Sequence, residues 1–183
     1  YRWTGTGNAA ALTADADVPS AKYIEYHVRH LFLAGDDSNP SRLYFSGLDD
    51  ITDYTSTDFI RVETDSGDGI IQGLKTGLDG LYIWKDSSIW RLSGTNRDDW
   101  TLEQMVRGYG TCSNQPIAVI NNKFIFLTCQ GDVALYDGGI NIEIISSKIE
   151  GTLTAFNRDR FDQAVAVAFD DGTGDEDYYL SLS

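Results

Sequence analysis

Ile24, Ile71, Ile117 and Val165 each open a hairpin-like stretch, and they stand 47, 46 and 48 residues apart. A near-constant period of about 40–50 residues, all strand and turn, restricts a chain to architectures in which one supersecondary unit stacks on the next. The stretches are 23–34, 70–85, 116–128 and 165–182, apolar and β-branched runs broken by turn residues. A helical period is nearly absent, and only 147–161 leaves room for a short helix or turn. The expected fold is therefore all-β: a β-propeller, or a propeller segment, of about four blade-like four-stranded units with the last one incomplete.

The expected units lie near 20–65, 68–110, 112–150 and 160–183, within one propeller-like domain over 1–183 that is either whole or a segment of a longer chain. In the first unit the strands fall at 23–28, 30–34, 42–46 and 59–62, and in the second at 70–74, 81–85, 88–92 and 102–106. The third is the clearest: 117–120 turns at Asn121-Asn122 into 123–128, at Gln130-Gly131 into 132–136, and at Gly138-Gly139 into 140–145. Asn tolerates positive φ and Gly adopts it freely, which is what the tight connections of a meander need. The fourth unit has two strands, 165–169 and 178–182, whose open edges call for a cover. Residues 1–4 and 9–13 are candidates for the missing outer strands; otherwise the chain belongs to a longer propeller.

Charge narrows the function classes. Twenty-eight Asp and Glu against 14 Lys and Arg give a formal net charge of −14, so the chain has few cations with which to displace the counterions of a phosphate backbone. A dedicated nucleic-acid binder is not expected. No apolar run approaches the roughly 18 residues needed to span a bilayer, and the expectation is a soluble chain without membrane insertion. The numbering opens at Tyr1 and not at Met, which leaves room for a leader or a preceding domain upstream. Cys112 and Cys129 are too few for a disulfide lattice. A hairpin about Asn121-Asn122 puts Cys129 opposite Asn114, two residues from Cys112, and the reading prefers free thiols to a bridge.

Catalytic and metal chemistry is sparse. His27 and His30, the only histidines, are three apart, which sends the rings to opposite faces of one strand unless a turn intervenes. The densest carboxylate cluster is 170–177, where Asp170, Asp171, Asp175 and Asp177 are the candidate ligands for a structural Ca²⁺, the competing reading being a solvated hairpin tip. The shorter 65–69 run reads more readily as turn chemistry. No Ser sits in a nucleophile elbow, and neither Cys has a His nearby in sequence. Residues 93–100 lack the central glycine of the Ser-x-Asp-x-Gly-x-Thr-Trp turn of glycosidase propellers. Trp84, Trp90 and Trp100 read as filling between blades. Neither a catalytic site nor a cofactor other than that Ca²⁺ is expected.

Four pieces carry a likeness: 29–35 (RHLFLAG), 39–47 (NPSRLYFSG), 80–94 (GLYIWKDSSIWRLSG) and 124–138 (FIFLTCQGDVALYDG). With these hairpins in this order, the stretch 19–147 resembles the β-propeller proteins of bacteriophage tails, the nozzle, hub and tail-tubular components of the neck and short tail. The resemblance implies a virion structural protein, made in the host bacterial cytoplasm, that contacts other tail and neck proteins. It further implies a homo-oligomeric ring, commonly a hexamer, through which DNA passes without specific binding. An acidic wall suits that passage, because it lets a polyanion slide where lysines would hold it. Such proteins usually carry more blades than are visible here, which leaves any channel lining open. Long loops between strands are the expected contact regions, at 35–40, 47–58 and 170–177, with Asp36, Asp37, Asn39, Asp49, Asp50 and Tyr54 as interface candidates. Competing readings are a propeller lectin, with exposed aromatics and acidic loops as binding groups, and a glycan-cleaving propeller working through a carboxylate pair.

Overall fold

A computed structural model describes residues 5–8, 18–63, 69–77, 79–153, 155–170, 172 and 176–182. The alternating and β-branched runs form strands in meander order. The first sheet is β1 (Tyr23–His27), β2 (His30–Ala34), β3 (Arg42–Phe45) and β4 (Phe59–Arg61). The second is β5 (Ile71–Gly77), β6 (Gly80–Lys85), β7 (Ser88–Ser93) and β8 (Thr101–Arg107), and the third is β9 (Ala118–Ile120), β10 (Lys123–Leu127), β11 (Val133–Tyr136) and β12 (Ile142–Ile144). A two-stranded sheet, β13 (Val165–Asp170) and β14 (Glu176–Ser181), follows a short α-helix (α1, Glu150–Leu153) flanked by 3-10 turns. Every pairing is antiparallel between sequence neighbours. The candidate strands at 1–4 and 9–13 lie outside the described residues.

The sheets stack because β-strands send successive side chains to opposite faces. In β6, Leu81 and Ile83 join Phe32, Leu43, Phe45 and Val62 in a seam between the first and second sheets. Their neighbours Tyr82 and Trp84 join Phe124, Phe126 and Tyr136 in a seam between the second and third. The third sheet repeats the device: Phe124 and Phe126 face backwards, while Ile125 and Leu127 face forwards onto Phe161, Ala164 and the inner face of β13–β14. Strands covered on both sides are buried along their whole length, as β6 is, whereas β1 and β14 alternate half-buried and exposed positions. The architecture is thus propeller-like, separate sheets stacked in sequence through apolar seams, and not one continuous sandwich.

Polar ties cross the seams. Lys85 is fully buried and its Nζ donates to Val62 O at 2.6 Å, joining the second sheet to the end of the first. Between the second and third, Thr111 N donates to Lys85 O at 2.9 Å and Thr111 Oγ1 to Leu127 O at 2.9 Å. Beside them Cys112 and Cys129 are joined in a disulfide with their Cα atoms 5.1 Å apart. Free thiols were the preferred expectation; the bridge forms because the turn after β10 brings Cys129 N to Gly110 O at 3.3 Å and so lays the two loops side by side.

The ends of the stack are different. Beyond the first sheet Leu33, Tyr44 and Tyr54 make a small outer cluster, yet Ile24 and Tyr26 of β1 remain 58% and 56% exposed. At the other end Val165, Val167, Phe169 and Tyr179 form the uncovered face of β13–β14.

Candidate functional site

Loop 35–40 is held by Asp36. Its carboxylate accepts from Ser38 N at 3.0 Å, Asn39 Nδ2 at 2.9 Å and Tyr44 OH at 2.8 Å. The Asn39 hydrogen bond leads the contributions that hold the Asp36 carboxyl below the usual carboxylate range. Asp37 is exposed and paired with Lys22. In loop 47–58, Asp49 sits at φ 58° and pairs with Arg29 across the β1–β2 turn, while Asp50 accepts from Thr52 N at 3.0 Å. Tyr54, expected at a contact surface, is only 2% exposed; it packs on Leu33 and Tyr44 and donates its hydroxyl to Leu31 O at 3.0 Å. It braces the loop from inside and is not a surface group.

The acidic loop is only partly described, Asp171 and Asp175 lying outside the described residues. Asp170 Oδ1 accepts from Gly172 N at 2.7 Å, Asp177 Oδ2 from Tyr179 OH at 3.2 Å, and Glu176 Oε2 from Asn121 N at 2.6 Å, which ties the loop to the β9–β10 turn. His27 and His30 correct the strand argument: the Val28-Arg29 turn does intervene, and the two are direct cross-strand partners on one face. Among the described residues, no group of three or more His, Cys, Asp and Glu is placed to hold a metal ion.

Two features stand out among the described residues once turn-forming groups are set aside. One is the apolar face of β13–β14. From the exposures of Val165, Val167, Phe169 and Tyr179, which run from 47% to 58%, it presents on the order of 400 Å² of accessible side-chain surface. The register explains this: Val167 is opposite Tyr179, so the large side chains of both strands fall on the same side. Patches of several hundred Å² mark interaction surfaces.

The other is a cavity of about 300 Å³ where the turn of 95–99 meets loop 47–58. Its floor is Phe45 and His30, the latter 5% exposed with its ring edge-on to Trp100 at 5.0 Å. Asp53, Asp58 and Asp98 stand at its walls. Arg97 reaches Asp58 Oδ1 at 3.0 Å and lies over the Phe45 ring, 5.1 Å from its centre. Nothing in the sequence pairs residue 30 with residues 96–98; only the stacking of the first two sheets does.

Comparison with models of known protein families gives no match, and neither does comparison with curated proteins.

Proposed function

We propose that the chain is a structural component of a bacteriophage tail, a propeller-like module that assembles head to tail into a ring around the DNA channel and works through protein contacts without catalysis. The observation that carries this reading is the uncovered face of β13–β14. Each internal seam joins the aromatic and aliphatic face of one sheet to the next, and the stack ends in two faces of the same chemistry, Ile24 with Tyr26 and Val165 with Val167, Phe169 and Tyr179. Two different surfaces of one chain that pack on each other make a heterologous contact, which closes into a ring when its rotation divides a full turn. The resemblance to phage tail propellers supplies the hexameric expectation, the neighbouring tail and neck proteins as partners, and the virion as location after synthesis in the host cytoplasm. The net charge of −14 supports passage of DNA without retention. In this reading the Cys112–Cys129 bridge closes once the particle leaves the reducing cytoplasm.

Native mass spectrometry of the purified chain tests it. A closed oligomer, six copies by expectation, is to be lost on Val167→Glu with Tyr179→Glu while the circular dichroism of the monomer stays unchanged. A wild-type chain that remains monomeric at tens of micromolar, about the range where a weak repeating contact would register, overturns the ring.

A further inference from the structure

We propose that the cavity between loop 47–58 and the turn of 95–99 is a binding site for a guanidinium group, the arginine side chain of a basic partner protein. His30 Nδ1 lies 2.6 Å from Ser46 O, and a carbonyl only accepts, so Nδ1 carries the proton of that bond. Among the described residues Nε2 then has no hydrogen-bond partner, in a residue that is 95% enclosed. Among the described residues the indole Nε1 of Trp100, whose ring meets this imidazole edge-on, is likewise unpartnered and is sealed, whereas His30 is one of the residues that line the cavity. In the neutral ring Nε2 keeps a lone pair.

The walls add acceptors. Asp58 is satisfied by Arg97 and by Thr55 N at 3.2 Å, but among the described residues no cation pairs with Asp53 or Asp98. Counting Asp53, Asp58 and Asp98 against Arg97, the lining carries two net negative charges. A site that offers lone pairs and negative charge selects a ligand that only donates and is positive. A guanidinium has five N–H donors in a flat fork and no acceptor, whereas a sugar hydroxyl needs donors as well as acceptors around it. The site already holds one guanidinium against an aromatic ring, that of Arg97 on Phe45. Gly47 leaves the place for the Asp53 carboxylate: a Cβ on Gly47 would stand 2.5 Å from Asp53 Oδ2. The cavity shares no residue with the end faces of the stack, so this inference stands or falls apart from ring assembly.

The test is an NMR titration of the full chain with N-acetyl-arginine amide, with N-acetyl-glutamine amide and methyl galactoside as comparisons. The arginine derivative is expected to shift the His30 imidazole and Asn96 resonances, and the two comparisons are expected not to. Asp53→Asn with Asp98→Asn weakens binding about tenfold or more, since charge-assisted hydrogen bonds are lost. Gly47→Ala, which displaces the Asp53 carboxylate without removing its charge, weakens it less. No shift at His30 in the folded wild type, equal affinity of wild type and the double Asn variant, or preference for the glycoside overturns the proposal. Oligomer size recorded on the same samples separates this result from that of the ring.

Discussion

The two turns Val28-Arg29 and Asn121-Asn122 have the same backbone and opposite chemistry. Both place two consecutive residues at positive φ, 39° and 68° in the first and 48° and 57° in the second, the conformation that joins antiparallel strands with a two-residue loop. Asn tolerates that region; a β-branched residue pays steric strain there, about 1–2 kcal/mol for an ordinary L-residue. Val28→Asn therefore relieves about that much. It also gives up the partial burial of the Val28 side chain, about 1 kcal/mol for roughly two thirds of a full burial. The net is a gain of about 0–1 kcal/mol, or an increase in Tm of about 0–3 °C for a chain of this size. The mirror substitution, Asn121→Val, has no buried area to set against the strain because Asn121 is exposed, and it is expected to cost about 1–2 kcal/mol. Differential scanning calorimetry of the pair decides the matter. If Val28→Asn lowers Tm while Asn121→Val leaves it unchanged, the turn geometry and with it the registers of β1–β2 and β9–β10 are wrong.

Two further outcomes follow from the loops. Replacing Cys112 and Cys129 by Ser releases a loop closed across a sequence separation of 17 and is expected to lower stability by about 3 kcal/mol on the chain-entropy account, read as the urea midpoint; an unchanged midpoint refutes the bridge. Asp36 contributes to acid sensitivity. Its folded pKa lies below its unfolded value near 3.9, so its contribution is intact above about pH 4 and is lost as pH falls through the depressed value. Asp36→Asn is expected to flatten the pH dependence of stability in that window, and an unaltered slope speaks against the Asn39 and Tyr44 hydrogen bonds.

The stacked sheets were legible because the four hairpin-like stretches recur at spacings of 47, 46 and 48 residues, and a flat unit of that length buries its faces only against the next. Which units end the stack was not, since residues 165–169 are as apolar as 80–84 although only one of their faces is packed. Strand ends were less visible: β5 runs on to Gly77, past the expected end at 74, because its pairing with β6 continues to Gly77 opposite Gly80, and Thr76 N donates to Glu25 Oε1 of the first sheet. Tyr54 sits in a loop of Thr and Asp with no period to mark an inward side, so its burial shows only once Leu33 and Tyr44 are placed beside it. The strand rule for His27 and His30 failed on a turn whose Val-Arg sequence carries none of the usual signals. The guanidinium cavity was illegible for a related reason, since its floor and walls meet only through packing between sheets.

The second sheet has two working faces, one for the first sheet and one for the third, and a double-mutant cycle measures them. Trp84 and Phe124 meet edge-on at 4.8 Å across the second seam, while Phe32 belongs to the first seam. Trp84→Leu with Phe124→Leu should show a coupling of about 0.5–1.5 kcal/mol, and Phe32→Leu with Phe124→Leu should be additive within about 0.5 kcal/mol. Coupling between Phe32 and Phe124 equal to that between Trp84 and Phe124 would place all three in one core and contradict the stack.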